Sequence, residues 1–176
     1  MPDEIISAVR DWLESVVIEL NLCPFAKREL SNDRVRFVAT DATSEVQLLQ
    51  ALEAELEHLA DDAATETTLL IHPHVLADFA DYNQFLELAD GLLVQMDLDG
   101  VFQIASFHPD YQFADTEVDA AENYTNRSPY PILHLLREES LSRAIEHTAD
   151  IDQIPLRNIR KMNELGAQKL KLLFRR

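Results

Sequence analysis

The feature that most restricts this chain is a repeated switch of hydrophobic period between residues 3 and 107. Ile5, Val9, Trp12, Leu13, Val16, Val17 and Leu20 recur at helical spacing, and Asp3 and Glu4 suit a first turn, so residues 3–22 read as a helix. Pro24 biases Cys23 away from helix and places its thiol at a turn. Val35–Ala39 is short and β-rich, and it follows the Asn32-Asp33 turn signal. Thr43 or Ser44 then caps a helix to about Asp61, with Val46, Leu49, Leu52, Leu56 and Leu59 inward. Thr67–Ile71 reads as a buried strand ended by His72-Pro73-His74, and residues 78–96 read as a helix with Phe79, Tyr82, Phe85 and Leu93 on its apolar side. Gly100 interrupts the chain before a third strand at 101–107.

The resulting order, α-β-α-β-α-β, predicts parallel crossovers. The expected fold is one α/β domain over residues 1–176. Its sheet would be small, with three or four strands, largely parallel, packed by about five helices. After Phe107 the pattern loosens. Ser128-Pro129 resembles a helix start, but Ile132–Leu136 falls out of helical phase with Leu141, Ala144 and Ile145. This favours a strand at 132–136 and a helix at 139–147. A last helix, capped by Asp152 with Pro155 in its first turn, runs to about Leu173, and Gly166 interrupts it.

Three stretches carry a family resemblance: Leu22-Cys23-Pro24-Phe25-Ala26, then Phe107-His108-Pro109-Asp110-Tyr111-Gln112-Phe113, then the run from Asn126-Arg127-Ser128-Pro129-Tyr130-Pro131 to Arg137-Glu138. With these motifs the chain resembles the bacterial DUF1415 family over essentially its whole length. The resemblance implies a single-domain bacterial protein and brings no established activity with it.

Composition narrows the partners. A formal charge of −17 on 176 residues repels phosphate backbones, which argues against nucleic acid. The basic residues are uneven: Arg157, Arg160, Lys161, Lys169, Lys171, Arg175 and Arg176 crowd the C-terminal stretch, which reads as a helix laid on an acidic body. A single cysteine excludes an intramolecular disulfide. The opening Met1-Pro2-Asp3-Glu4 lacks a secretory pattern, and no apolar run approaches membrane-spanning length, so a cytoplasmic protein without membrane contact is expected. With three glycines, the usual glycine-rich nucleotide cradles are nearly excluded.

The chemistry-bearing residues concentrate between Phe107 and Glu138. His108 and His134 are the acid/base candidates, because imidazole titrates near neutral pH. Arg127 and Arg137 offer planar forks for a carboxylate or phosphate, with Asn126 and Tyr111 to orient it. The expected site is a His/Arg pocket at the carboxyl edge of the sheet, acting on a small anionic metabolite. Two other readings stand beside it: a non-catalytic binding or adaptor protein, and a metal-dependent enzyme with His72, His74 and His108 as ligands. Cys23 is a candidate reactive thiol, although its place after a helix C-terminus suits an inert one, and a nearby His108 or His134 would change that. No cofactor and no protein partner can be named from the sequence.

Overall fold

The computed structural model describes residues 2–147 and 153–174. The described residues form a mixed α/β fold with seven α-helices and one four-stranded sheet. In chain order the elements are α1 (Pro2–Trp12), a π-helical turn (Leu13–Ile18), α2 (Ala26–Ser31), β1 (Val35–Ala39), α3 (Glu45–Asp61), β2 (Thr67–Ile71), α4 (Phe79–Gln95) and β3 (Phe102–Phe107). A 3₁₀ turn (Ala121–Thr125) then precedes β4 (Ile132–Arg137), α5 (Glu138–His147), α6 (Ile154–Leu165) and α7 (Ala167–Leu173).

The strand order is β1-β2-β4-β3. β1 and β2 are parallel, in register Val35 to Thr67, but β4 is antiparallel to both its neighbours. A largely parallel sheet is therefore not what forms. The three early strands do share one direction, as the alternating pattern predicts, and the long excursion after Phe107 lets β4 enter between β2 and β3 in reverse. β4 suits a central position because it buries side chains on both faces, with Leu133 and Leu135 on one side and Ile132 on the other.

The sheet separates two cores. Leu48, Leu52, Leu56 and Leu59 of α3 and Tyr82, Phe85, Ala89 and Leu93 of α4 meet Leu70, Leu133 and Leu135 on one face. On the other, Val9 and Trp12 of α1, Leu13, Val16 and Val17 of the π-helical turn, Met162 of α6 and Leu170 of α7 meet Leu69, Ile71 and Ile132. Ser44 caps α3 by accepting from the Gln47 N–H, and Asp78 caps α4 by accepting from Ala80 and Asp81. Val46, expected inward, is 66% exposed; Leu48 takes the inward position in the first turn of α3. Arg36 on β1 forms a two-pronged ion pair with Glu55 on α3, at 2.7 and 3.1 Å.

Helix count and helix length also differ from expectation. The expected helix over residues 3–22 changes hydrogen bonding after Trp12: Glu19 N–H donates to Glu14 O and Leu22 N–H to Val17 O, each five residues back. The extra charged segment Ala26–Ser31 forms α2. Gly166, at φ 77°, does split the last helix into α6 and α7, while Asp152, its expected cap, lies outside the described residues.

Candidate functional site

The carboxyl ends of β2 and β3 lie on one edge, since Ile71 and Phe107 both pair with Ile132. The residues that emerge there are packed shut. His108 is fully buried: Nε2–H donates to Leu76 O (3.1 Å), and Nδ1 accepts from the Asp110 N–H (3.0 Å). Both ring nitrogens are thus occupied, and burial lowers the imidazole pKa. His72 is equally buried, with Nδ1 bonded to Val75 O (3.1 Å) and Nε2 without a partner; burial holds its pKa down to about 4. Tyr82 stands between the two rings, at 5.7 Å from His72 and 5.0 Å from His108. Its hydroxyl donates to Ile132 O (2.7 Å) and accepts from the Phe107 N–H (3.1 Å), tying α4 to two strands.

This arrangement bears directly on the metal reading. His74 is exposed, whereas His72 and His108 are turned inward and engaged with backbone. The turn after His72, with Leu76 at φ 58°, breaks the strand alternation that would have aligned His72 with His74. Among the described residues, no group of three or more His, Cys, Asp or Glu side chains is arranged to hold a metal ion.

The two arginines spend their donors on backbone carbonyls. Arg127, 9% exposed, donates to Tyr111 O (3.2 Å) and Val118 O (2.7 Å) and lies over the Tyr124 ring at 4.4 Å. It clasps the excursion between β3 and β4, aided by buried Asn123, which accepts from the Phe113 N–H and donates to Glu117 O and Val118 O. Arg137 donates to Leu59 O, Asp62 O and Thr65 O, satisfying carbonyls at the C-terminal end of α3. Asn126 donates to Ser106 O (3.1 Å), and Tyr111 packs its ring on Phe79 and Phe113, each 5.0 Å away. His108, Arg127 and His134 do not converge.

His134 lies on the other face of the sheet, where the alternation Ile132, His134, Leu136 puts it. Thr67 Oγ1 donates to Leu135 O (2.6 Å), so at 2.7 Å it accepts from His134 Nε2–H. That leaves Nδ1 as the ring's lone-pair nitrogen. His134 is half-buried, and desolvation alone pushes its pKa down to about 4, so the ring is neutral at pH 7.

The imidazole faces a cleft of about 550 Å³ bounded by α1, the π-helical turn, α2, the sheet and α5. Trp12, Leu13, Val17, Leu69 and Phe107 give it apolar walls, and Cys23 lines it as well. Among the described residues, four arginines, Arg28, Arg34, Arg137 and Arg143, stand there against two carboxylates, Glu29 and Glu66, in a chain of net charge −17. Arg28 and Arg34 pair with the buried Glu29 at 2.7 and 3.4 Å, and Arg34 also pairs with Glu66. Among the described residues, Arg143, 60% exposed, pairs loosely with Glu139 (3.7 Å) and donates to Ser140 Oγ (3.1 Å).

Sequence reasoning overlooked Trp12, Arg28, Glu29, Arg34 and Arg143 as cleft residues. The available signal was the charged stretch Lys27-Arg28-Glu29 set between the apolar residues Phe25 and Leu30, right after the Cys23-Pro24 turn.

No helix among the described residues is long and apolar enough to cross a membrane. No curated protein and no solved structure matches the chain. A family model described as "Protein of unknown function (DUF1415)" matches residues 4–172, and the chain belongs to that family.

Proposed function

We propose that this protein is an enzyme acting on a small anionic metabolite with an apolar body, bound in the cleft between α1, α2 and the sheet. The observation that carries the reading is the concave site itself: a neutral, half-buried imidazole in an apolar cavity whose charged lining is net positive, in a strongly acidic chain. Clefts of this size and lining are the usual form of small-molecule sites. Arg143 and Arg28, exposed at the rim, attract the anion and orient it, and the aromatic walls take its apolar part. His134 is the proton acceptor. Thr67 holds its Nε2–H, so Nδ1 is the atom that takes the proton.

An imidazole with a pKa near 4 is a weak base when the cleft is empty. A bound anion stabilises the imidazolium and raises that pKa toward neutrality, so binding and proton acceptance are coupled. The exposed large apolar side chains, Val46, Leu88, Val94, Val101, Val118, Leu156 and Leu172, are all aliphatic among the described residues; no exposed aromatic patch favours an adaptor.

The test is calorimetric titration with hexanoate at pH 6 in two buffers of different ionisation enthalpy. Saturable binding with proton uptake is expected. The uptake disappears in His134→Gln, and affinity falls in Arg143→Gln. Absence of binding, or uptake that survives in His134→Gln, would overturn the assignment.

A further inference from the structure

Next to the arginine-rimmed cleft lies a second cavity of about 350 Å³, lined by Leu22, Phe113, Ile154, Pro155 and Ile159 together with the polar side chains of Thr125, Asn126 and Asn158. Among the described residues, no charged side chain lines it. It shares three wall residues, Val17, Cys23 and Phe107, with the larger cleft. The shared wall joins the π-helical turn and the bend after it to the last residue of β3.

We infer that the two cavities form one site for an unbranched alkyl carboxylate, with the carboxylate among the rim arginines and the chain running past Cys23 into the second cavity. The inference rests on the proposed reading of the cleft and names its substrate class. Three features select this ligand. Among the described residues charge lies only at one end, with Arg28, Arg34, Arg137 and Arg143 lining the larger cleft and no ionic group lining the smaller. The apolar walls of Val17 and Phe107 continue from one cavity to the other, which suits a linear aliphatic body better than a compact polar one. Hydrogen bonding five residues back gives the helix an irregular turn where Leu13 and Val17 contact the cleft, a device frequent at functional sites. Ile154 and Ile159 of α6 line the second cavity and not the first. Cys23 is half-buried at the junction, so an alkyl chain passing it covers its thiol.

The experiment uses the full chain and the series hexanoate, octanoate, decanoate and dodecanoate, each below its micellar concentration. Trp12, the only tryptophan, lines the cleft and reports binding by fluorescence. Each methylene buried past Cys23 should tighten binding roughly three- to fourfold, the gain ending when the second cavity is full. Ile159→Phe, which shortens that cavity, should weaken dodecanoate at least tenfold and leave hexanoate unchanged. Alkylation of Cys23 in the unaltered protein, followed with iodoacetamide, should slow with dodecanoate and not with hexanoate. Dodecyltrimethylammonium, with the same chain and the opposite charge, should neither bind saturably nor protect Cys23. If hexanoate binds with proton uptake but affinity does not grow with chain length, or Cys23 stays equally reactive, the two-cavity site is wrong while the cleft assignment stands. If no carboxylate binds, both fall. Equal binding of the cationic amphiphile would show simple adsorption to apolar surface and overturn the inference.

Discussion

His108 and His134 sit on opposite sides of one sheet, and each follows from a β-strand that ends or begins near Ile132. On the α4 side, His108 has a backbone partner at both nitrogens and aromatic rings around it. On the α1 side, His134 has one hydroxyl partner and open space beside it. A buried polar ring with every bond made inside the protein serves the fold, because displacing any partner leaves an unsatisfied group. A ring with one fixed nitrogen and one available nitrogen, facing a cavity, is held in orientation yet able to exchange a proton. Residue type alone did not separate these two cases; the count of internal partners and the adjacent volume did.

The largest expected effect tests whether the α4 side is a structural lock. Tyr82→Ala removes a fully buried ring from between His72 and His108 and should cost about 3–5 kcal/mol in urea unfolding. Tyr82→Phe keeps the ring and deletes the hydroxyl that joins Ile132 O to the Phe107 N–H, so about 1–3 kcal/mol should be lost. Hexanoate affinity in Tyr82→Phe should stay within a factor of two of the parent. An unchanged midpoint with altered ligand affinity would invert the comparison.

Arg127→Ala comes next. It strips charged donors from Tyr111 O and Val118 O and should destabilise by about 1.5–3 kcal/mol, again without loss of carboxylate binding. Failure of binding in that variant, with the fold intact by circular dichroism, would return the anion site to the Phe107–Glu138 stretch.

The contrast between Arg127 and Arg143 shows what could be read in the sequence and what could not. β2, β4, α3 and α4 were legible because their side-chain period is local, and the same period put His134 beside Ile132 and Leu136. The place of β4 in the sheet was not legible. It depends on how residues 108–131 turn back, and the Arg127 and Asn123 bonds that fold that excursion go to backbone carbonyls, which every residue offers. The cleft was invisible for a related reason. Its wall combines Trp12, Arg28, Phe107, His134 and Arg143, brought together from four separate segments with no common spacing. The density of His and Arg after Phe107 located the machinery of the loop, while part of the chemistry-bearing lining came from α2 and α5.

Acid should weaken both sides of the sheet. His72 and His134 each have a folded pKa of about 4, against about 6.5 in an unfolded chain, so the unfolded state takes up more protons as the pH falls. Stability contributed by the neutral rings is complete above pH 6.5 and lost progressively toward pH 4, at about 1.4 kcal/mol per pH unit for each histidine. Urea midpoints at pH 7.0, 6.0 and 5.0 should fall accordingly, and His134→Gln should remove one histidine's share of the slope. A flat profile over this range would mean that neither ring is held neutral by burial.

The smallest signal separates the two histidines most directly. With hexanoate bound, an anion close to His134 favours its imidazolium, so the His134 pKa should rise by about one to three units while those of His72 and His108 stay where they are. Nitrogen chemical shifts of the imidazoles, recorded across pH 4–8, read this residue by residue. At pH 7 without ligand, His108 and His134 should both show the tautomer protonated at Nε2, donating to Leu76 O and to Thr67 Oγ1 respectively. On adding hexanoate at pH 6, Nδ1 of His134 should gain a proton and that of His108 should not, since it already accepts from the Asp110 N–H. Thr67→Val supplies the internal control. It removes the acceptor that fixes His134, so the free protein should show mixed tautomers at His134 and an unaltered spectrum at His108. Equal responses of the two rings to the ligand would mean that the difference in their partners does not decide which one exchanges protons.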